Sequence, residues 1–335
     1  MPTPTVIAST DRTDTTLLVD LGGTNVRFAL CDPTRAVPLL ASSVRRYRVT
    51  EFASLAEAAQ HYLRECAAHP RHALVAAAGR ISDGQTVQIT NNPWAVSARE
   101  LGQKLDLEST RLINDFAAQS MAVTLLRSDE QTAIGDLPPP RLDGTEQNFV
   151  VMGPGTGLGV GALLLRDGHA SVLESEGGHA GFAPHEPDDV AIAAVLARRF
   201  GRVSNERLVS GQGLVNVHAA LCEITGQTAP ALQPEDITRR ADAGEPLCVR
   251  TMETVAGLFG AIAGDFVLTL GGWDGLYLTG GLLPVLTPWL QRGRFRERFE
   301  AKGRFADTLR HVPVVAITAA EPGLLGAAAV ARAGR

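Results

Sequence analysis

Two stretches of this chain share one plan: an apolar strand, a tight glycine-rich turn and a second apolar strand. The first is "TLLVDLGGTNVRFALCD", from Thr16 to Asp32, and the second is "NFVVMGPGTGLGVGALLLRDG", from Asn148 to Gly168. Apolar, β-branched runs bounded by Gly and Asn read as hairpins. A hairpin that recurs in each half points to two related domains, each opening on a glycine turn. Around them, strand-like and helix-like segments alternate, which defines an α/β chain. "EFASLAEAAQHYLREC" has helical apolar spacing, "HALVAAAG" and "TVQITNN" are strands, and "SARELGQKL" opens with a capping box, Ser97 to Glu100. The second half is more helical. "DDVAIAAVLARRFG" closes on Gly201, "GLVNVHAALCEITG" on Gly226, and "EPLCVRTMETVAGLFGAIAGDFVLTLGG" is a long helix whose small residues suit close packing. It leads into the strand "GLYLTGG", and "VPVVAITAAEPGLLGAAAVARAG" gives a strand, a loop and a last helix. "GDLPPPRLDGTEQ" is a loop that marks a domain boundary.

The 335 residues suffice for two domains, and 45% of them are hydrophobic. Net charge is −5 with no Lys/Arg block, which argues against a nucleic-acid partner. The densest basic stretch, "QRGRFRERFEAKGR", interleaves Glu with aromatics and reads as a solvated helix face. Cys31, Cys66, Cys222 and Cys248 are scattered, without CxxC or a His-Cys cluster. That spacing gives a structural zinc no support and fits free thiols in a reducing cytoplasm. Residues 1–16 carry no basic segment followed by an apolar core, so they read as a disordered lead rather than a secretory signal. No apolar run approaches membrane-spanning length. The expectation is a soluble, cytoplasmic protein.

The glycine turns are candidate phosphate sites. "DLGGTNVRF" sets Asp20 at a strand end, followed by Gly22, Gly23, Thr24 and Asn25. Successive N–H groups there can converge on an anion, and Thr24 adds a hydroxyl. Arg27 adds charge if it points inward, and Asp20 suits Mg²⁺, directly or through water. A type I′ hairpin with Gly-Gly at its corner explains the same residues without any ligand. "MGPGTGLGVG" fails the G-x-G-x-x-G spacing of dinucleotide folds. A Walker A loop fails too, because the chain's two lysines, Lys104 and Lys302, do not follow glycine. Backbone N–H groups of Gly155, Thr156 and Gly157 remain able to hold phosphates. Gly280 and Gly281 in "LTGGLLP" end a further strand, where an adenine or ribose can approach the backbone.

A second set of polar residues suits a polyol. "ESEGGHAGFAP" gives Glu176 and His179 beside two glycines, a carboxylate and an imidazole able to meet vicinal hydroxyls. Glu206 follows in "SNERLVSGQG", and Asn91 stands in "TNNPW", where turn chemistry accounts equally well for the asparagines. In "TRLINDFAAQ" an apolar strand stops at Asn114-Asp115 and a helical pattern starts at once. Helix capping and catalysis by a carboxylate at a strand end are both open to that pair.

Together these stretches resemble the bacterial glucokinase family of enterobacterial type, within the actin-like and hexokinase-like sugar kinases. The matching segments are "DLGGTNVRF", "TNNPWAVS", "LINDFAAQSMA", "MGPGTGLGVG", "EGGHAGFAP", "ERLVSGQGLVN", "LTGGLLP", "KGRF" and "EPGLLGAAA", in family order from Leu17 to Ala331. The resemblance implies an α/β, two-domain actin-like (ribonuclease H-like) ATPase and sugar kinase fold, with its active site in an interdomain cleft. It implies a small domain of residues 17–125 plus 316–335 and a large one of residues 126–315. It implies that ATP phosphorylates D-glucose at the 6-hydroxyl. Asp115 would be the general base, and Asn114, Asp115, Glu176, His179, Glu206 and Asn91 the sugar ligands. Asp20, Gly22, Gly23, Thr24, Asn25, Gly155, Thr156, Gly157, Gly280 and Gly281 would hold the nucleotide, with Mg²⁺ at Asp20. A homodimer is the family expectation. The cysteine-rich zinc motif of the repressor/ORF/kinase (ROK) sugar kinases is missing here. A kinase for another hexose or amino sugar is the alternative, and a non-catalytic sugar sensor or a dinucleotide oxidoreductase is remote.

Overall fold

The computed structural model describes residues 15–79, 81–89, 92 and 94–334. The expected disordered lead lies outside them, except that Thr15 and Thr16 are described and Thr16 already belongs to a strand. The chain forms two compact units, the first reaching Leu126 and resuming at Ala320, the second running Arg127–Ala319.

The first unit begins with β1 (Thr16–Leu21), β2 (Asn25–Cys31) and β3 (Arg45–Arg48). Next come α1 (Leu55–Cys66), β4 (His72–Ala77), β5 (Ile81–Ser82), β6 (Thr86–Gln88) and β7 (Ala95–Ser97). The segment ends with α2 (Ala98–Leu105), β8 (Ser109–Asn114) and α3 (Asp115–Ala122). Its main sheet has the order β3-β2-β1-β4-β8. β1, β4 and β8 are parallel, and β2 and β3 are antiparallel. Alternation along β1 divides its side chains between two cores. Leu17, Val19 and Leu21 meet Ala58, Ala59 and Tyr62 of α1 and Leu101 of α2. Leu18 joins Ala118 of α3 and residues of the C-terminal helix on the other face. Both faces are covered, which is why β1 is apolar at nearly every position.

The second unit contains β9 (Gln131–Ala133), β10 (Glu146–Pro154), β11 (Leu158–Arg166) and β12 (His169–Ser175). Helices α4 (Pro187–Phe200), α5 (Gly211–Ile224), α6 (Pro234–Asp242) and α7 (Pro246–Leu270) follow. Then come β13 (Gly275–Leu278), α8 (Leu283–Leu290), α9 (Arg294–Glu300), α10 (Ala306–Arg310) and β14 (Val314–Ile317). The last helix, α11 (Pro322–Ala333), belongs to the first unit. The sheet order is β12-β11-β10-β13-β14-β9. Its first five strands repeat the order and direction found in the first unit, so the hairpin echo in the sequence is an echo in topology.

Two sequence expectations need correcting here. α7 is long and apolar enough to cross a membrane by length and composition. Its apolar residues are instead core: Val255, Phe259, Ile262 and Val267 are buried with Phe295 and Phe299 of α9. Small residues permit that approach, since a Cβ on Gly260 would meet the Phe295 carbonyl oxygen at 2.0 Å. The basic stretch around α9 is likewise not simply a solvated face. Phe295, Arg298 and Phe299 are buried. Arg298 Nη2 donates to Asp189 Oδ2 at 2.6 Å, and its Nη1 lies 2.8 Å from Glu186 Oε2. A buried guanidinium satisfied by two carboxylates lets a charged residue face the core.

Burial works to raise the Asp189 carboxyl, but Arg298 and the N–H groups of Glu186 and His185 outweigh it and hold it below the usual range. Asp189→Ala leaves Arg298 with Glu186 alone and the His185 and Glu186 N–H groups without their acceptor, and is expected to cost about 1–3 kcal/mol of stability at neutral pH. Because the folded pKa is lowered, this contribution is complete above the ordinary aspartate value of 3.8. It is lost as pH falls through the folded value. Urea unfolding across pH should therefore show a gap between variant and parent that narrows only in acid. Equal stability of the two proteins at neutral pH would contradict this account.

Candidate active site

In the first unit the candidate residues sit at the carboxyl ends of parallel strands. β1 delivers Asp20, and the turn that follows closes with the Gly22 N–H donating to the Asn25 carbonyl at 3.0 Å. Neither Gly22 nor Gly23 takes a positive φ, so the type I′ geometry is not adopted. Gly22 uses its own N–H in closing the turn, and Thr24 is exposed at its tip. The Gly22 carbonyl is held by Asn92, whose Nδ2 donates to it at 2.9 Å while Oδ1 accepts the Trp94 N–H. Asn91, the expected sugar contact, lies outside the described residues. Its neighbour has a defined task in bracing the turn.

Asp20 is surrounded in an unusual way. Arg27 Nη1 donates to its Oδ2 at 2.9 Å. Arg27 Nε lies 2.9 Å from Glu321 Oε2, an ion pair whose angle does not make a hydrogen bond. Gly323, in the first turn of α11, lies against the same carboxylate: a Cβ there would stand 2.8 Å from Asp20 Cγ. Burial pushes the Asp20 carboxyl up, and Arg27 pulls against it. Glu321 is raised too, first by burial, with Arg27 opposing and the Asp20 charge adding to the rise. Asp20 is the one carboxylate that the turn offers to a magnesium ion. Asp20 Oδ2 is engaged by Arg27, so a hard cation would meet Oδ1, directly or through water, with phosphate oxygens completing its shell.

Asn114 and Asp115 form the junction of β8 and α3. Asn114, not Asp115, is the N-cap: its Oδ1 accepts the N–H groups of Phe116 and Ala117 at 2.8 and 3.1 Å. Asp115 is the first helical residue, and its Oδ1 accepts the Phe116 N–H at 2.9 Å. Leu21 and Asn114 both pair in register with Ala77 of the intervening β4. The Asp20 and Asp115 strand ends are therefore level and two strand spacings apart, about 10 Å.

In the second unit the turn after β10 closes with Gly155 N–H donating to the Gly157 carbonyl at 2.8 Å. Thr156 and Gly157 thus carry the N–H groups that the turn itself does not use. Gly280 has φ +98° and lies so near Pro154 that a Cβ would meet its carbonyl oxygen at 2.6 Å. Gly281 is beside Gly155, its nitrogen 3.8 Å from where a Gly155 Cβ would be. The candidate sugar ligands gather on the same unit. His179 Nε2 lies 3.9 Å from Glu176 Oε2, and its Nδ1 lies 3.9 Å from Glu206 Oε1. Glu206 also accepts the Leu158 N–H at 3.1 Å through Oε2.

Sequence reasoning missed Asn92, Glu321 and Gly323 as partners of the first turn. Glu321 carries a signal in hindsight, an acid directly before Pro322 at a helix start in the matching stretch "EPGLLGAAA". Among the described residues no three His, Cys, Asp or Glu side chains converge to hold a metal.

Two sheets of one repeated topology, each with a glycine turn at its strand ends, form the two-domain actin-like fold of the sugar kinases. The family model "Glucokinase" matches residues 17–334. The glucokinase of Stenotrophomonas maltophilia (strain R551-3) is 49% identical over 316 residues, 94% of each chain. The crystal structure of a glucokinase from an Antarctic psychrotroph superposes with TM-score 0.83 at 34% identity, covering 95% of this chain and 98% of that one. A ROK family glucokinase from Streptomyces griseus, in complex with glucose and AMPPNP, shares the fold alone, with TM-score 0.63 at 18% identity, covering 95% and 99%. The chain belongs to the glucokinase family, whose reaction is the ATP-dependent phosphorylation of glucose.

The contact between Gly323 and Asp20 yields a test remote from any substrate. Gly323→Ala is expected to displace the Asp20 carboxylate and lower turnover by on the order of tenfold to a hundredfold. The protein should still fold, because Ala suits the first turn of a helix, with a modest fall in melting temperature as the Asp20–Arg27 pair shifts. Unaltered turnover in that variant would show that α11 does not set the Asp20 position.

Proposed function

We propose that this chain transfers the γ-phosphoryl group of ATP to the 6-hydroxyl of D-glucose, with Asp115 as general base. Asp115 accepts a hydrogen bond from the 6-hydroxyl, orients its oxygen toward the γ-phosphorus and takes the proton as the new P–O bond forms and ADP leaves. Such a base contributes about 10²–10⁴-fold. Asn114 Oδ1 is committed to the helix, so its Nδ2 group is the part that meets a sugar hydroxyl. Glu176, His179, Glu206 and Asn91 supply the other sugar contacts, the carboxylates accepting from hydroxyls and the imidazole doing either.

The remaining catalytic effect is position and charge neutralisation. N–H groups of Gly23 and Thr24, with Asn25 beside them, and those of Thr156 and Gly157 each supply donors for phosphate oxygens. Gly22 and Gly155 hold the two turns in shape, and Gly280 and Gly281 give the adenosine a close approach to backbone. Magnesium, held through Asp20 and water, would neutralise charge on the phosphates. Arg27 and Glu321 keep Asp20 oriented for that task.

The observation that carries this reading is the carboxylate of Asp115 at a strand end level with the Asp20 turn, in a chain of the glucokinase family. A cytoplasmic homodimer without nucleic-acid or membrane partners completes the proposal. The net charge of −5 and the four scattered cysteines, without CxxC spacing, support its setting. The test is sugar-dependent ADP release with Mg²⁺. Asp115→Ala should lose turnover by ~10²-fold or more, while its glucose Kd, read by calorimetry, rises only a few-fold. Near-parental turnover in the folded variant would remove Asp115 from the role of base.

A further inference from the structure

We propose that Glu206 is a positioning residue for the nucleotide turn as well as a sugar ligand, so that glucose and nucleotide each tighten binding of the other through this one carboxylate. The inference rests on the reading of Glu206 and His179 as sugar ligands.

The two carboxylate oxygens of Glu206 face different partners. Oε2 accepts the Leu158 N–H at 3.1 Å, at the point where the glycine turn becomes β11. Oε1 points to His179, 3.9 Å from Nδ1. The turn has grown around this side chain. A Cβ on Gly157 would stand 2.3 Å from Glu206 Oε2, so Glu206 holds its place against the turn because residue 157 has no side chain. The backbone on either side of Glu206 is tied to both neighbours. Asn205 N–H donates to the Ala180 carbonyl at 3.0 Å, just past His179, and Gly211 N–H donates to the Gly155 carbonyl at 2.8 Å. The Glu206 carbonyl itself accepts from Ser210 Oγ at 2.8 Å. Hydrogen bonds therefore join the segment that carries His179, the segment that carries Glu206 and the glycine turn within a single unit.

The side chain is still 31% exposed, so without a sugar its outer oxygen meets water and the carboxylate can rotate off Leu158. Hydroxyl groups bound to Oε1 fix the rotamer, and the fixed rotamer holds Leu158 and, through it, the N–H groups of Thr156 and Gly157. A ligand that orders a shared element lowers the ordering cost met by the second ligand, and the coupling is reciprocal. Nothing is transferred in this step, which consists only of hydrogen bonds made and kept.

The experiment measures Kd for glucose and for the non-hydrolysable analogue AMPPNP with Mg²⁺, each with and without the other, by calorimetry on the full chain. Glucose is used at ten times each variant's own Kd. In the parent protein glucose should tighten AMPPNP by about fivefold or more. Glu206→Ala should weaken AMPPNP alone and bring the coupling factor to about one. Glu176→Ala should weaken glucose yet keep the parental coupling factor. Gly157→Ala pushes only the end of a flexible side chain, so the protein should fold, and its glucose Kd should rise about tenfold although residue 157 is not a sugar ligand. Glu206→Ala with weakened glucose but parental coupling would overturn the inference and leave the sugar-site reading intact. An unchanged glucose Kd in Glu206→Ala would overturn both. If Glu206→Ala fails to fold, an unchanged glucose Kd in folded Gly157→Ala overturns the inference.

Discussion

Strand register is the constraint on which everything else in this protein depends. In each unit the hairpin's first strand pairs antiparallel with the second and parallel with a strand reached much later in the chain. That mixed pairing fixes the glycine turn at the carboxyl end of the parallel strands, where successive strand ends lie side by side. A one-residue slip of β1 would exchange its two core faces and carry Asp20 to the wrong side of the sheet. The same apolar alternation that builds the core thus aims the chemistry. In the first unit, the shared partner Ala77 aligns the end of β1 with the Asn114-Asp115 junction.

Charge near these strand ends is handled by pairing rather than by exposure. Asp20 is raised by burial but faces Arg27, which in turn reaches Glu321. A carboxylate, a guanidinium and a second carboxylate in series keep the charged groups oriented without requiring each to be fully solvated. Arg298 and Asp189 in the second unit use the same device for a structural end, bidentate and almost wholly buried. Removing one member of such a set costs more than the set contributes as a whole, because the remaining charge stays buried. The two sets differ in consequence. Around Asp20 the pairing orients a carboxylate of the candidate site, whereas around Asp189 it joins α4 to α9.

The hairpins, the alternation of strands and helices, and the long small-residue helix were all legible, because each is a local pattern of period and punctuation. The turn at 155–157 and the pair Gly280–Gly281 stood out in the sequence as candidate ligand contacts, but the protein groups that press on them, Glu206 at Gly157 and Pro154 at Gly280, did not. Capping at Asn114-Asp115 was ambiguous by sequence, since both residue types cap well, and backbone geometry gives that role to Asn114. What local pattern could not reveal was which distant residue would meet a known one. Glu321 joins Arg27 from the far end of the chain. Asn92 reaches Gly22 from a turn whose asparagines local chemistry already explained. Arg298 looked solvated because its neighbours are charged, and only the position of Asp189 on α4 makes its burial possible. Glu206 was legible as a candidate sugar ligand, but its hold on Leu158 was not.

The central claim is that Asp115 meets the 6-hydroxyl of glucose while the two glycine turns hold the polyphosphate. A crystal structure of the chain with glucose, AMPPNP and Mg²⁺ tests it most directly. The account predicts the sugar O6 within about 2.6–3.2 Å of an Asp115 carboxylate oxygen, with phosphate oxygens on the N–H groups of Thr24 and Thr156. A sugar seated with another hydroxyl on Asp115, or phosphates bound away from both turns, would contradict it.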